Sequence, residues 1–188
     1  DALAADVVVR VTGDAPLLDP AMLDALVDAL VREGAEWANV RPGEACIHEG
    51  FDPVTTAALR RLAAAAGGDP AAREHVTGYF RLHPEFARTV YVPVEPECAH
   101  RGARLSVDTP ADLAFLEEVY RRLGAAPGEV DVRDVARALR ADPGLAAINA
   151  HVHQKHAAER SRSAVVRCDG DSRIGMGHVS RCLAIAAE

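Results

Sequence analysis

No stretch of this 188-residue chain approaches the roughly 18 uncharged apolar residues needed to span a bilayer, so a transmembrane helix is not expected. A basic surplus is also lacking: 21 Lys and Arg stand against 28 Asp and Glu, for a formal net charge of -7. Broad nucleic-acid surfaces need excess cations to displace counterions, which excludes that class of partner but leaves room for a local anion pocket. Cysteine is sparse. Cys46, Cys98, Cys168 and Cys182 form no CxxC pair and no zinc spacing, and read as free structural thiols in a reduced, cytoplasmic setting. The opening "DALAADVVVR" has neither the basic n-region nor the apolar h-region of a secretory leader. There is no repeat of fixed period, and no low-complexity tract beyond Ala richness.

What is present is an ordinary globular balance, 49% hydrophobic and 26% charged, on a chain long enough for one substantial core and part of another. Both ends read as cut, because a strand follows almost at once and "RCLAIAAE" stops inside a helical pattern. Residues 7–12, "VVVRVT", predict a buried strand closed by Gly13. Asp19 as N-cap, Pro20 at the first position and an apolar stripe from Met22 to Val31 predict a helix over 20–33, ended by Gly34. "EWANV" reads as a short strand, 41–52 as a loop or hairpin, and 53–66 as a helix. A further helix is expected from Asp69-Pro70 to Pro84, then strands in "RTVYVPVE" and "ARLSV". Helices are expected in "TPADLAFLEEVYRRL" and in "VDVRDVARALRAD", the latter ending before Pro143. Strands alternating with helices imply an α/β layer fold over 1–148. Residues 149–163, polar and without an apolar face, read as a linker, and 164–188 restart a strand, Gly-rich turn and helix.

Two carboxylates stand out. In "SVDTPADL" Thr109 can cap the helix, Pro110 can open it and Asp112 can serve as the acidic partner, which leaves Asp108 over. Asp19 likewise caps its helix and leaves Asp14 over, in the turn Gly13-Asp14. Each acid follows an apolar strand, at the edge where open α/β sheets bind ligands. Magnesium takes one or two carboxylates together with waters and phosphate oxygens, so the pair suits a metal-nucleotide site. The alternative is that Asp14 stabilises a turn and Asp108 bonds backbone amides.

The segments "VVRVTGDAPLLDP", "REHVTGYF", "RLSVDTPADLAFLEEVY" and "INAHVHQK", in that order, resemble the cytidylyltransferases of the spore-coat polysaccharide biosynthesis type, relatives of the acylneuraminate and 3-deoxy-manno-octulosonate enzymes. The resemblance covers about residues 1–157 and implies a GT-A-like, Rossmann-like nucleotidyltransferase domain. It implies that Asp14 and Asp108 hold Mg2+, that Gly13 lies against nucleotide phosphate, and that CMP passes from CTP to an acidic or amino sugar. Asp52, Arg73, Glu74, His75 and Thr77 become candidates for holding that acceptor; read without the family, "REHVT" is a solvated helix turn with a partly buried His. Two departures stand in the sequence. Gly78 replaces a common Pro, and "EGFDPVTTAAL" keeps Gly50, Phe51 and Asp52 but lacks the Glu that usually follows. No strand with a Gly- and Arg-containing loop precedes Asp1, so the chain alone is expected to bind CTP poorly and to be inactive.

Residues 164–188, with "RCDGDSRIGMGHVSRCLAIAAE", resemble the start of the UDP-sugar hydrolase of pseudaminic acid biosynthesis, a GT-B-like enzyme. Gly175 and Gly177 allow close approach of an anion to a helix N-terminus. By the resemblance His178 is the base that activates water; by local pattern it is a capping or core His. The chain thus reads as a piece of a bifunctional nucleotide-sugar enzyme, with a homodimer as one compatible assembly. The competing readings are a GT-A glycosyltransferase, whose usual Asp-x-Asp is absent from "GDAP", and a noncatalytic sugar-binding or scaffold module.

Overall fold

The computed structural model describes residues 4–44, 47, 51–68, 76–100, 103–126 and 128–152. Asp1–Val152 form one compact unit; His153–Glu188 form a second, outside the described residues. In chain order the elements are β1 (Val7–Val11), α1 (Pro20–Glu33), β2 (Trp37–Val40), β3 (Phe51–Thr55), α2 (Thr56–Ala65), α3 (Gly78–Leu82) and β4 (Thr89–Val92). A 3-10 turn (Pro96–Cys98), α4 (Pro110–Leu123), α5 (Val132–Ala141) and α6 (Pro143–Ala147) follow. Among the described residues no helix is long and apolar enough to cross a membrane.

The sheet order is β1-β3-β2-β4, with β3 antiparallel to both neighbours and β2 parallel to β4. Strands β1, β2 and β4 therefore run one way, and their carboxyl ends share one edge. Helix α1 covers one face, where Met22, Leu26 and Leu30 pack with Ala38 and Phe51. The other face carries α2 and α3, whose Ala58, Leu62 and Phe80 close over Trp37 and Val54. A third cluster, built on Phe115, Val119, Val135 and Leu139, joins α4 to α5 and takes in Leu17 and Leu105.

Helix α1 forms over the residues its pattern predicts. The Asp19 carboxylate accepts from Ala21 N at 3.0 Å, Pro20 opens the helix, and Gly34 closes it at φ 60°, a left-handed conformation that glycine adopts without Cβ strain. Helix α4 begins with the anticipated capping box of Thr109 and Asp112.

Several expectations are corrected. Strand β1 is not buried: Val8, Val9 and Val11 are exposed, because β1 pairs only with β3 and α1 lies over β2, β3 and β4. Residues 53–55 continue β3 instead of starting a helix, since register against β1 fixes Pro53 opposite Val9 and Thr55 then caps α2. Thr55 N donates to Glu36 O at 2.8 Å, so the amide two residues back would face the same strand; Pro53 has none, and the β2–β3 pairing shrinks to Trp37 with Val54.

"ARLSV" forms no strand, and its backbone reaches the sheet region through Val107 N donating to Asp14 O. The helix expected over 69–84 is seen as α3 alone, residues 69–75 being outside the described set. A short α6 begins at Pro143, where Asp142 supplies a cap to Gly144 N at 2.8 Å. Asn149, read as the first linker residue, is only 2% exposed and belongs to the folded unit. Cys98 is a free buried thiol whose pKa burial pushes up to about 11, an inert group as anticipated; the other three cysteines lie outside the described residues.

Truncating Phe115 to Ala should cost about 3–5 kcal/mol, the usual range for emptying a buried aromatic site. A urea unfolding midpoint within error of the parent would show that the α4–α5 cluster does not contribute to the cooperative unit.

Candidate functional site

The carboxyl ends of β1, β2 and β4 form the edge at which the candidate residues gather. Beyond Val11 the chain turns at Gly13-Asp14 and is pinned by buried Ala15 and Leu17. The loop leading into α4 crosses this point, and Val107 N donates to Asp14 O at 2.8 Å. The backbones of the two aspartate turns are thereby joined, with Asp108 one residue from the tie.

Asp108 is left over from capping, as the sequence accounting anticipates, and its carboxylate is 53% exposed. It is paired with the Arg104 guanidinium, a contact the sequence reading missed. Beneath it lies Asp112, wholly buried. Its carboxylate accepts from Asp108 N at 3.1 Å, Thr109 N and Thr109 Oγ1 at 2.9 Å, Arg104 Nε at 3.2 Å and Asn149 Nδ2 at 3.0 Å. Burial alone would raise the Asp112 pKa. Hydrogen bonds from Asn149 and Thr109, with the Arg104 charge, outweigh it and hold the carboxyl below its ordinary value. Asn149 also donates to Arg104 O at 3.0 Å, which fixes the arginine's own backbone.

Gly13 is exposed, has open space where a Cβ would stand and shows no left-handed φ, so no backbone strain requires glycine there. Among the described residues no group of three or more His, Cys, Asp or Glu side chains converges on a point. The Asp14 and Asp108 turns offer two carboxylates and oxygen donors only. That set fits a hard cation completing its sphere with water and phosphate, and does not fit zinc.

A second cluster centres on Asp52, which is 4% exposed. Strand register places Asp52 opposite Arg10, and the side chains of Trp37 and Asn39 fall on the same face of β2. Thr77 Oγ1 donates to Asp52 Oδ2 at 2.7 Å, and Asn39 Nδ2 and Trp37 Nε1 donate to Oδ1 at 2.8 and 3.3 Å. Two guanidinium groups stand farther off, Arg81 at 3.5 Å from Oδ1 and Arg10 at 3.8 Å from Oδ2. The structure thus brings the two described acceptor candidates, Asp52 and Thr77, into direct contact. Arg10, Asn39 and Arg81 were missed; the available signal was alternation along β1 and β2 and the four-residue step from Thr77 to Arg81 on a helix. Arg73, Glu74, His75, Gly175, Gly177 and His178 lie outside the described residues. A groove of about 650 Å3 beside Asp6, Leu30, Glu36 and Arg60 sits at the other end of the sheet and includes none of the candidates.

Comparison with known proteins follows the same lines. The sequence model of a family described as cytidylyltransferase matches residues 1–136. The chain is 26% identical over 148 residues to the spore coat polysaccharide biosynthesis protein SpsF of Bacillus subtilis, covering 78% of this chain and 60% of that protein. It is 27% identical over 150 residues to an uncharacterized protein of Methanocaldococcus jannaschii, covering 80% and 60% respectively. Among solved structures, a cytidylyltransferase from Leptospira borgpetersenii serovar Hardjo-bovis superposes with a TM-score of 0.68 at 22% identity, over 82% of this chain and 63% of that one, a likeness of fold. The chain spans about three fifths of the length of the curated relatives it matches.

Because the Asp112 pKa is lowered on folding, its stabilisation is fully present above the unfolded carboxyl value and is lost as pH falls through the folded one. Between about pH 5 and pH 3, urea stability of the parent should therefore fall more steeply than that of Asp112→Asn, which has no titrating group there. Parallel pH profiles would show that Asp112 is not the linked carboxylate.

Proposed function

This chain belongs to the cytidylyltransferase family, and from that premise we propose that the full-length protein transfers CMP from CTP to a sugar in surface-polysaccharide or nonulosonic-acid synthesis. A sugar hydroxyl oxygen attacks the α-phosphorus, the bond to the β-phosphate bridging oxygen breaks, and pyrophosphate leaves with the electron pair while the hydroxyl proton passes to solvent. Asp14 and Asp108 hold the magnesium ion, and Gly13 lies against phosphate. The ion supplies charge neutralisation on the phosphates and on the departing pyrophosphate.

The observation that carries the reading is the tie between Val107 N and Asp14 O, which sets both leftover aspartates at the carboxyl edge of the sheet. Buried Asp112 then holds the Asp108 backbone from below and Arg104 screens the Asp108 charge. In this scheme Arg73, Glu74 and His75 serve the sugar acceptor, and Thr77, buried and donating to Asp52, acts on it through that carboxylate. The reading extends to residues 164–188 as the opening of a sugar-nucleotide hydrolase unit, with Gly175 and Gly177 at the phosphates and His178 as its base.

With CTP, Mg2+ and a panel of acidic and amino sugars, the full-length protein should release pyrophosphate and form a CMP-sugar. Asp14→Asn and Asp108→Asn should each lower kcat by roughly 10²-fold or more, the scale for losing a charge-stabilising group. Sugar transfer from a nucleotide-sugar with no pyrophosphate release from CTP would establish the glycosyltransferase reading instead.

A further inference from the structure

Asp52 combines two properties that a substrate-contacting carboxylate does not need together. It is buried, and its near partners are three neutral donors, Thr77, Asn39 and Trp37, within 2.7–3.3 Å. The two cations stand on different oxygens, Arg81 through one long hydrogen bond at 3.5 Å and Arg10 at 3.8 Å, so that Asp52 engages at most one N–H donor of each. Arg81 is held a second time, its guanidinium 5.9 Å from the centre of the Trp37 ring. Both guanidinium groups reach solvent, with side chains 35% exposed for Arg10 and 60% for Arg81.

Among the described residues the charge count here is two cations against one anion, on a chain whose overall balance is acidic. Each guanidinium presents five donors in a planar fork suited to a carboxylate or phosphate. We propose that Asp52 is a positioning residue which aims Arg10 and Arg81 outward as a paired seat for a substrate oxyanion. The seat lies one register step inside the carboxyl edge, on the sheet face opposite α1. Its occupant is a carboxylate of the acceptor or a phosphate of the nucleotide. The proposal uses the cytidylyl-transfer reading only to name those two sources, and not for the anion binding itself.

The test is binding, measured by calorimetry on the 188-residue chain at low salt, with inorganic pyrophosphate and with N-acetylneuraminate as separate probes. At least one probe should bind, and Arg10→Gln and Arg81→Gln should each weaken it by about 10-fold or more, the scale of a lost charge-assisted bond. Whichever probe shows this identifies phosphate or carboxylate. Arg81→Lys keeps the charge but loses the fork, and should recover only part of the loss.

Asp52→Asn supplies the readout that separates aiming from simple neutralisation. It adds one net positive charge to the seat, so an Asp52 that merely neutralised would bind the anion more tightly when replaced. A positioning Asp52 requires weaker binding in the variant. Tighter binding, no binding of either probe by the parent, or binding insensitive to both arginine variants overturns the proposal. Should Asp52→Asn fail to fold, Asp52→Glu, which keeps the charge but shifts the carboxylate by one methylene, must weaken binding as well, and binding equal to the parent's overturns the proposal. Anion binding that obeys the arginine variants in a protein that releases no pyrophosphate from CTP would remove the transferase reading and leave the seat in place.

Discussion

The buried Asp112 carboxylate is the constraint on which the rest of the site depends. A charge removed from water is tolerable only when its lone pairs are filled, and five donors from Arg104, Asp108, Thr109 and Asn149 fill them. The donors come from three stretches of chain, so one side chain fixes the start of α4, the loop that precedes it and the segment after α6. The tie between Val107 and Asp14 then transmits that order to the end of β1. Asp108 can project into solvent because its own backbone is anchored by the residue four positions on.

The two carboxylate clusters divide the work by burial. Asp52 and Asp112 are interior acids that organise arginines; Asp108 is an exposed acid that an arginine attends. Each interior acid has neutral donors among its near partners, Thr77, Asn39 and Trp37 in one case and Thr109 and Asn149 in the other. The guanidinium groups thus keep donors for other ligands, an arrangement suited to anionic substrates.

Much of this was legible in the sequence where the determinants are local. Caps and stripes located α1, α4 and α5 because Asp19, Pro20, Gly34, Thr109 and Asp112 act within a few residues of one another. The accounting that leaves Asp14 and Asp108 outside the caps rests on the same local determinants, since Asp19 and the Thr109–Asp112 box fill them. The sheet was less legible. Nothing within "VVVRVT" says that β1 stands at an edge, and nothing within "FDPVTT" says that a proline will lie in a strand between two others. Arg104, Arg10 and Arg81 escaped notice because an arginine's role is set by which carboxylate it meets across the fold. Asn149 looked like linker because a single buried amide leaves no periodicity.

Pro53 has a consequence for how the sheet breathes. Register from Trp37 and Val54 carries Ala38 opposite Pro53 and Asn39 opposite Asp52, so the backbone ladder lapses one step before the level at which the Asn39 side chain reaches the Asp52 carboxylate. A side-chain clasp takes over where main-chain pairing stops. Local opening of the sheet is easiest along such a seam. The two strands that meet there, β2 and β3, carry Asn39 and Asp52, so opening along this seam loosens first the clasp beside which Arg10 and Arg81 stand.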